Sequence, residues 1–165
     1  MQWIPSQFPP IWIGERNGIR SLRKGTAVKH RLFFDTNILL DVVLHREEFL
    51  EAAASAWALC ETRKAKGFVS AISLNNVHYV AGKFIGKDNA LAAVRLILNV
   101  FEVVPLDAAI LREAANVPHR DFEDDIQLAS ALRCDADIIL SRDAAHYPVG
   151  VLPILPPRDY LAGRS

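Results

Sequence analysis

Four aspartates, Asp35, Asp121, Asp124 and Asp143, are the residues of this 165-residue chain whose type and placement suggest chemistry. Asp35 follows directly on the apolar run Leu32-Phe33-Phe34, Asp143 closes Ile138-Ile139-Leu140-Ser141-Arg142-Asp143, and Asp121-Phe122-Glu123-Asp124-Asp125 opens a helical pattern. At a helix start, Asp121 and Asp124 share one side, whereas Asp125 is rotated away and Glu123 lies elsewhere again. Ile126, Leu128, Ala129, Ala131 and Leu132 give that helix a buried stripe able to fix the carboxylates against a sheet edge. Taken singly, each acid has an ordinary role. Asp121 suits an N-cap and Glu123, Asp124 and Asp125 a first helical turn. Asp35-Thr36-Asn37 suits a strand-to-helix turn capped by Asn37, and Asp143 suits a loop pair with Arg142. Those roles do not account for three strand-end regions delivering acids to one edge of one sheet. Like charges in close proximity raise one another's pKa and oppose folding, and a divalent cation reverses that argument. Mg²⁺ or Mn²⁺ prefers hard oxygen ligands and keeps several waters. The chemistry that follows is phosphodiester hydrolysis, which needs no nucleophilic side chain.

The elements that position these acids alternate along the chain. Short apolar runs predict strands over Arg31–Phe34, Gly67–Ile72, Glu102–Pro105, Asp137–Leu140 and Val151–Ile154. Longer periodic segments predict helices over Ile38–Leu44, Glu47–Ala65, Leu74–Phe84, Lys87–Val100, Asp107–Asn116 and Glu123–Arg133, with a short one near Arg158–Leu161. This order is that of βαβ units around a parallel sheet, in which ligand sites gather at the carboxyl ends of strands.

A hydrophobic fraction of 51% over 165 residues allows one substantial core, not two. Residues 1–30 lack hydrophobic periodicity and hold three of the nine prolines, so they read as an N-terminal arm, either flexible or arising from a mis-assigned start; residues 31–165 form the domain. The N-terminal order of residues reverses that of a secretory signal, and no apolar stretch reaches membrane-spanning length, so a cytoplasmic protein without membrane contact is expected. Cys60 and Cys134 lack paired spacing and read as packing residues. The net charge of zero conceals an asymmetry: residues 1–31 carry six Lys/Arg against Glu15, and residues 32–165 carry thirteen against eighteen acids. A domain that acidic does not hold nucleic acid by unspecific charge, so any contact is local. Arg46, Arg120 and Arg142 are the basic residues nearest the acidic motifs.

Four ordered motifs then carry a family resemblance: Leu32-Phe33-Phe34-Asp35-Thr36-Asn37-Ile38-Leu39-Leu40-Asp41, Val69-Ser70-Ala71-Ile72-Ser73, the segment Asp121 to Ala131, and Ile138 to Asp143. From Arg31 to Leu161 the sequence resembles PIN domains, especially the VapC-type toxin ribonucleases of toxin–antitoxin pairs. The resemblance implies a Rossmann-like αβα sandwich with a central parallel sheet of about five strands, and a Mg²⁺- or Mn²⁺-dependent endoribonuclease. It implies Asp35, Asp124 and Asp143 as catalytic metal ligands, Asp121 as an auxiliary ligand, and Thr36, Asn37, Asn76, Ser141 and Arg142 as pocket residues. It further implies an RNA substrate, an antitoxin partner that covers the pocket, and a homodimer. The helices Ile38–Leu44 and Ala52–Leu59 with Trp57 read either as antitoxin docking surface or as core.

One departure stands out. Where many relatives place a glutamate in the second motif, this chain has Asn76, which offers a carbonyl oxygen but neither charge nor a base. Asp41, Glu47 and Asp121 are candidate compensators. His78 and His146 lie close to the motifs in sequence, and as lone histidines each reads first as a packed or surface residue. The alternative function is therefore a PIN-like RNA- or protein-binding module with weakened catalysis. A phosphatase using Asp35 as nucleophile is a weaker third reading, since Asn37 stands where that chemistry wants a second aspartate.

Overall fold

The computed structural model describes residues 30–116 and 121–163. Five strands, β1 (Arg31–Phe34), β2 (Lys66–Ser70), β3 (Glu102–Val104), β4 (Ile138–Leu140) and β5 (Ile154–Leu155), form one sheet in the order β3-β2-β1-β4-β5. Every pairing is parallel, with Phe33 opposite both Phe68 and Ile139. Seven helices connect and cover them among the described residues: α1 (Thr36–Val43), α2 (Glu47–Glu61), α3 (Ala71–Ile85), α4 (Lys87–Val100), α5 (Ala108–Ala115), α6 (Phe122–Arg133) and α7 (Pro157–Ala162). None of them is long and apolar enough to cross a membrane.

The alternation of β1 decides the layers. Leu32 and Phe34 point to one face with Val69 and Leu140, and pack under α1, α2, α3, α4 and α7. Phe33 points to the other face with Phe68, Val104 and Ile139, and packs under α5 and α6. A strand buried on both faces reads as an unbroken apolar run, which is the reason for Leu32-Phe33-Phe34. The result is the expected αβα sandwich. Ile38, Leu39, Val42, Val43, Ala53, Ala56 and Trp57 lie in its core, so the core alternative holds for these helices rather than the docking one. Basic residues 16–29 and Arg120 lie outside the described residues, as does all of the arm except His30, whose Nδ1 is 3.0 Å from the Tyr160 hydroxyl.

The helices and strands depart from expectation mainly at junctions. α1 starts at Thr36 and α3 at Ala71, earlier than the apolar periodicity indicates, because Asp35 and Ser70 are extended N-cap residues joining strand to helix without a loop. α2 stops at Glu61 rather than Ala65: Arg63 turns into left-handed conformation and the Lys64 and Ala65 N–H groups both donate to Leu59. The last strand begins at Ile154, after a turn at Gly150 (φ 84°); Pro153 presents its carbonyl to Ile139, and Leu155 presents its own to Ser141.

β2 has room for no side chain at Gly67. A Cβ there would lie 2.5 Å from Cδ1 of Phe101 and 2.8 Å from Sγ of Cys60. Phe101 cannot retreat, because its ring packs edge-on against Trp57 and Phe34 at 4.8 Å centroid separations. Gly67→Ala is therefore expected to lower stability by about 1–3 kcal/mol, the usual cost of overpacking a filled core. Urea unfolding of the two proteins checks this, and an unchanged midpoint would refute the account.

Candidate active site

Asp35 is the last residue of the central strand's trajectory: its N–H donates to Leu140 O at 3.0 Å, closing the β1–β4 ladder, and its carbonyl accepts from Ile38 as α1 begins. Its carboxylate makes no capping bond to the helix it precedes. Instead, Ser141 Oγ donates to Oδ2 at 2.5 Å, Asn37 Nδ2 donates to the same oxygen at 2.7 Å, and Gln127 Nε2 donates to Oδ1 at 2.9 Å. Three segments thus converge on a carboxylate that is only 3% exposed. Burial raises its pKa, opposed chiefly by the bonds from Ser141 and Gln127.

Asn37 is not the cap of α1 but a bridge. The same Nδ2 that donates to Asp35 also donates to Asp143 Oδ2 at 2.9 Å, so one amide holds the two acids beside each other. Ser141 does the equivalent from the other strand, since its Oγ also accepts the Asp143 N–H at 3.0 Å. Among the described residues the buried Asn37 carbonyl oxygen has no hydrogen-bond partner, so the amide acts toward the acids through its nitrogen.

The acids of α6 divide their roles. Asp121 is the N-cap, accepting from the N–H groups of Glu123 (2.9 Å) and Asp124 (3.4 Å). Asp124 faces the cleft, and burial, then the charges of Asp35 and Asp121, push its pKa up to about 7. His146 Nδ1 lies 3.3 Å from Asp124 Oδ2 and opposes that shift, so this histidine does reach the cleft. Glu123 does not lie elsewhere: it accepts from Thr36 Oγ1 at 2.9 Å and lines the cleft.

Gln127 and Tyr147 were not singled out in the sequence. Gln127 is 1% exposed, and besides holding Asp35 it accepts from the Thr36 N–H (3.2 Å) and from Ser73 Oγ (3.4 Å). Its signal was present: a glutamine inside the stripe Ile126, Leu128, Ala129 is a buried polar group that must have a partner. Tyr147 is buried behind the acids, and burial together with the charges of Asp35 and Asp124 raises the pKa of its phenol, keeping it protonated. No spacing rule marks it.

The α6 acids, Gln127 and His146 wall a cleft of about 470 Å³ whose lining also includes Asp35, Thr36, Asn37, Asn76, Asp143 and Tyr79. Asn76, the residue standing at the second-motif glutamate position, is on the wall, whereas His78 is not. Arg142 is placed elsewhere than expected. Its guanidinium is 3.2 Å from the fully buried Asp41 and 4.1 Å over the Phe49 ring, beside a separate cavity of about 270 Å³. Arg46 pairs with the other Asp41 oxygen at 3.2 Å, so neither arginine forms a rim to the acidic cleft and Asp41 does not compensate for Asn76. Residues alternate along an extended segment, and with Ser141 and Asp143 turned to the acids the intervening Arg142 must face away.

Among the described residues, no three His, Cys, Asp or Glu side chains close into a ready-made ion cluster. The donors nearest that condition are the carboxylates of Asp35, Asp124 and Asp143, all hard oxygens in the lining of one cleft. That set suits a cation that retains much of its hydration shell.

Comparison with known proteins agrees with this geometry. Ribonuclease VapC1 of Aquifex aeolicus (strain VF5) is 25% identical over 122 residues, which span 71% of this chain and 84% of that protein. The DNA-bound VapBC structure from Salmonella typhimurium superposes with a TM-score of 0.60 at 16% identity, covering 78% of this chain and 98% of that one. A toxin–antitoxin complex from Klebsiella pneumoniae gives 0.58 at 20% identity, covering 76% and 97%. VapC20 of Mycobacterium tuberculosis, a sarcin-ricin loop cleaving toxin, gives 0.57 at 17% identity, covering 68% and 89%. These likenesses carry the fold. The family model described as PIN domain matches residues 31–145, from the first strand through the last of the acids, and so the chain belongs to the PIN domain family.

Proposed function

We propose that this protein is a metal-dependent endoribonuclease, the toxin of a toxin–antitoxin pair, with Asp35, Asp124 and Asp143 as its acidic centre. The observation that carries the proposal is the shared amide: Asn37 donates to both Asp35 and Asp143, holding two strand-end acids together at the edge where α6 presents Asp124. A bound Mg²⁺ or Mn²⁺ would be held by these carboxylates, and would supply an activated water and neutralisation of phosphate charge.

The chain's own residues perform the rest. Ser141, Asn37 and Gln127 fix both oxygens of Asp35, so the carboxylate needs no reorganisation when substrate arrives. Thr36 stands between Ser73 and Glu123 and fixes the lower wall of the cleft. Asp124, whose pKa is pushed up to about 7 by burial and neighbouring acids, stands 3.3 Å from His146 Nδ1, which is exposed at the rim. The protein partner in this proposal is an antitoxin, as in the Klebsiella pneumoniae complex. The homodimer follows the same family reasoning.

A second reading is favoured by Asn76, which stands on the cleft wall without the charge of a glutamate. It makes the protein a PIN-like binding module. Incubating a structured RNA pool with the purified protein in Mg²⁺, Mn²⁺ or EDTA separates the two. Cutting that needs metal and falls at least about a hundredfold in Asp35→Asn and Asp124→Asn is the expected result, on the scale of losing one preorganised group. RNA left intact by the folded wild-type protein, but cut by Asn76→Glu, would establish the binding module.

The crowding of acids also has a signature without substrate. Because the Asp124 pKa is about 7 in the fold and near 3.8 when unfolded, the native state binds more protons between those values. Stability of the metal-free protein is therefore highest toward the acid end of that window and declines as pH rises through about 7. Asp124→Asn should lessen the decline and stabilise the metal-free protein at pH 8 by roughly 1–2 kcal/mol, allowing for solvent screening. Mn²⁺ should raise the melting temperature of the wild type and leave that of Asp124→Asn nearly unchanged. Melting curves at pH 5 and 8 test this; a wild type indifferent to Mn²⁺ would count against the assigned ligands.

A further inference from the structure

Five carboxylates line the cleft, those of Asp35, Asp121, Glu123, Asp124 and Asp143, and among the described residues no lysine or arginine joins them. A polyanion entering such a cleft is repelled by every acid that a cation does not offset. Hold on a nucleic acid must then draw on contacts other than phosphate pairing. Tyr79 is the feature able to supply one. It stands on α3, one helical turn beyond Asn76, and is the one phenylalanine, tyrosine or tryptophan in the cleft lining. It is 63% exposed, in a protein whose sheet-facing rings Phe33, Phe34, Phe68 and Trp57 are all buried. Its own helix places a cation on the ring: Lys83 Nζ lies 3.9 Å from the ring centroid. That contact holds one cation against a ring at the mouth of an otherwise acidic cleft.

We propose that Tyr79 is a stacking platform for an unpaired RNA base, with Lys83 taking the adjoining phosphate, so that a single-stranded segment is seated beside the acids. The proposal deepens the ribonuclease assignment and rests on it for the identity of the polymer. Stacking works on any base, since each has a π-face, but a base inside a duplex has both faces covered. The platform therefore selects unpaired nucleotides and tolerates their sequence. It also places part of the binding affinity outside the metal centre, on a residue that touches none of the acids.

The test measures equilibrium binding by fluorescence anisotropy, with Ca²⁺ as the cation and a labelled single-stranded RNA of about ten nucleotides, the scale of a single-strand site. An oligonucleotide of the same length with abasic positions is the second probe. Cleavage of the first RNA in Mg²⁺ or Mn²⁺ is followed in parallel for wild type, Tyr79→Ala, Tyr79→Phe and Tyr79→Trp. The expected result is an about tenfold loss of affinity for the base-bearing RNA in Tyr79→Ala, a loss of under about twofold for the abasic RNA, and retention in Phe and Trp. In cleavage the same variant should raise KM and leave kcat nearly unchanged. Equal affinity of wild type and Tyr79→Ala, an equal loss for both probes, or no binding of RNA by the wild type would overturn the platform. A wild type that binds in the expected pattern yet cuts nothing would retain it and remove the nuclease assignment.

Discussion

The Asp35 carboxylate is nearly sealed from water at the end of the central strand, and burying a charge there is tolerable only because donors from α1, α6 and the segment after β4 meet it. Oδ2 is shared by Ser141 and Asn37, but Oδ1 depends on Gln127, and removing that donor leaves a buried oxygen unpaired, which costs more than the hydrogen bond contributes. This single requirement constrains where the sheet's edge, the α6 register and the Ser141 backbone can lie. It is also why Gln127 sits inside an apolar stripe: a hydrocarbon there would pack, but would abandon Asp35.

The sheet supplies the frame in which that requirement is met. β1 is central, flanked by β2 and β4, and the chain reverses its direction of winding on either side of it. Loops after strands on opposite sides of such a switch diverge and leave a crevice, and here the crevice holds the acids of α6 and of the segment following β4. The apolar core fixes the layers without reference to chemistry, while the polar groups concentrate at the carboxyl edge. Stability and reactivity are thereby separated in space, though not in energy, since the acids at the edge repel one another.

Much of this was legible in the residues. Leu32-Phe33-Phe34 announces a strand buried on both faces, and the alternation of strand and helix fixes the class of fold. The strand-end acids Asp35 and Asp143 were legible by position, and Asp124 by helical spacing. What was not legible depended on atoms meeting across the fold. Glu123 reaches the cleft because Thr36 happens to stand opposite it, which helical spacing within α6 cannot show. Arg142 was assigned to the pocket because of its neighbours in sequence, but a carboxylate on α1 draws it to the far side. Tyr147 follows a one-turn 3-10 helix that no periodicity announces. Junctions were likewise invisible where a strand passes straight into a helix, as at Ser70, because the apolar pattern changes period without a glycine or proline to mark it.

The buried Asp41, clasped by Arg46 from the start of α2 and by Arg142 from the segment after β4, joins three pieces of chain at a point behind the cleft. Arg142 is covalently between Ser141 and Asp143, so the segment that positions the acids cannot lift away without taking from the buried Asp41 one of its two arginine partners. Local opening of that segment is thus tied to loosening of the α1–α2 corner. In hydrogen-exchange terms, amides on both sides of the ion pair belong to one cooperative unit rather than to a fraying loop and a stable helix pair. A loop that carries acids to the edge of a cleft, and would on its own be among the first parts to open, is here fastened to the core from behind.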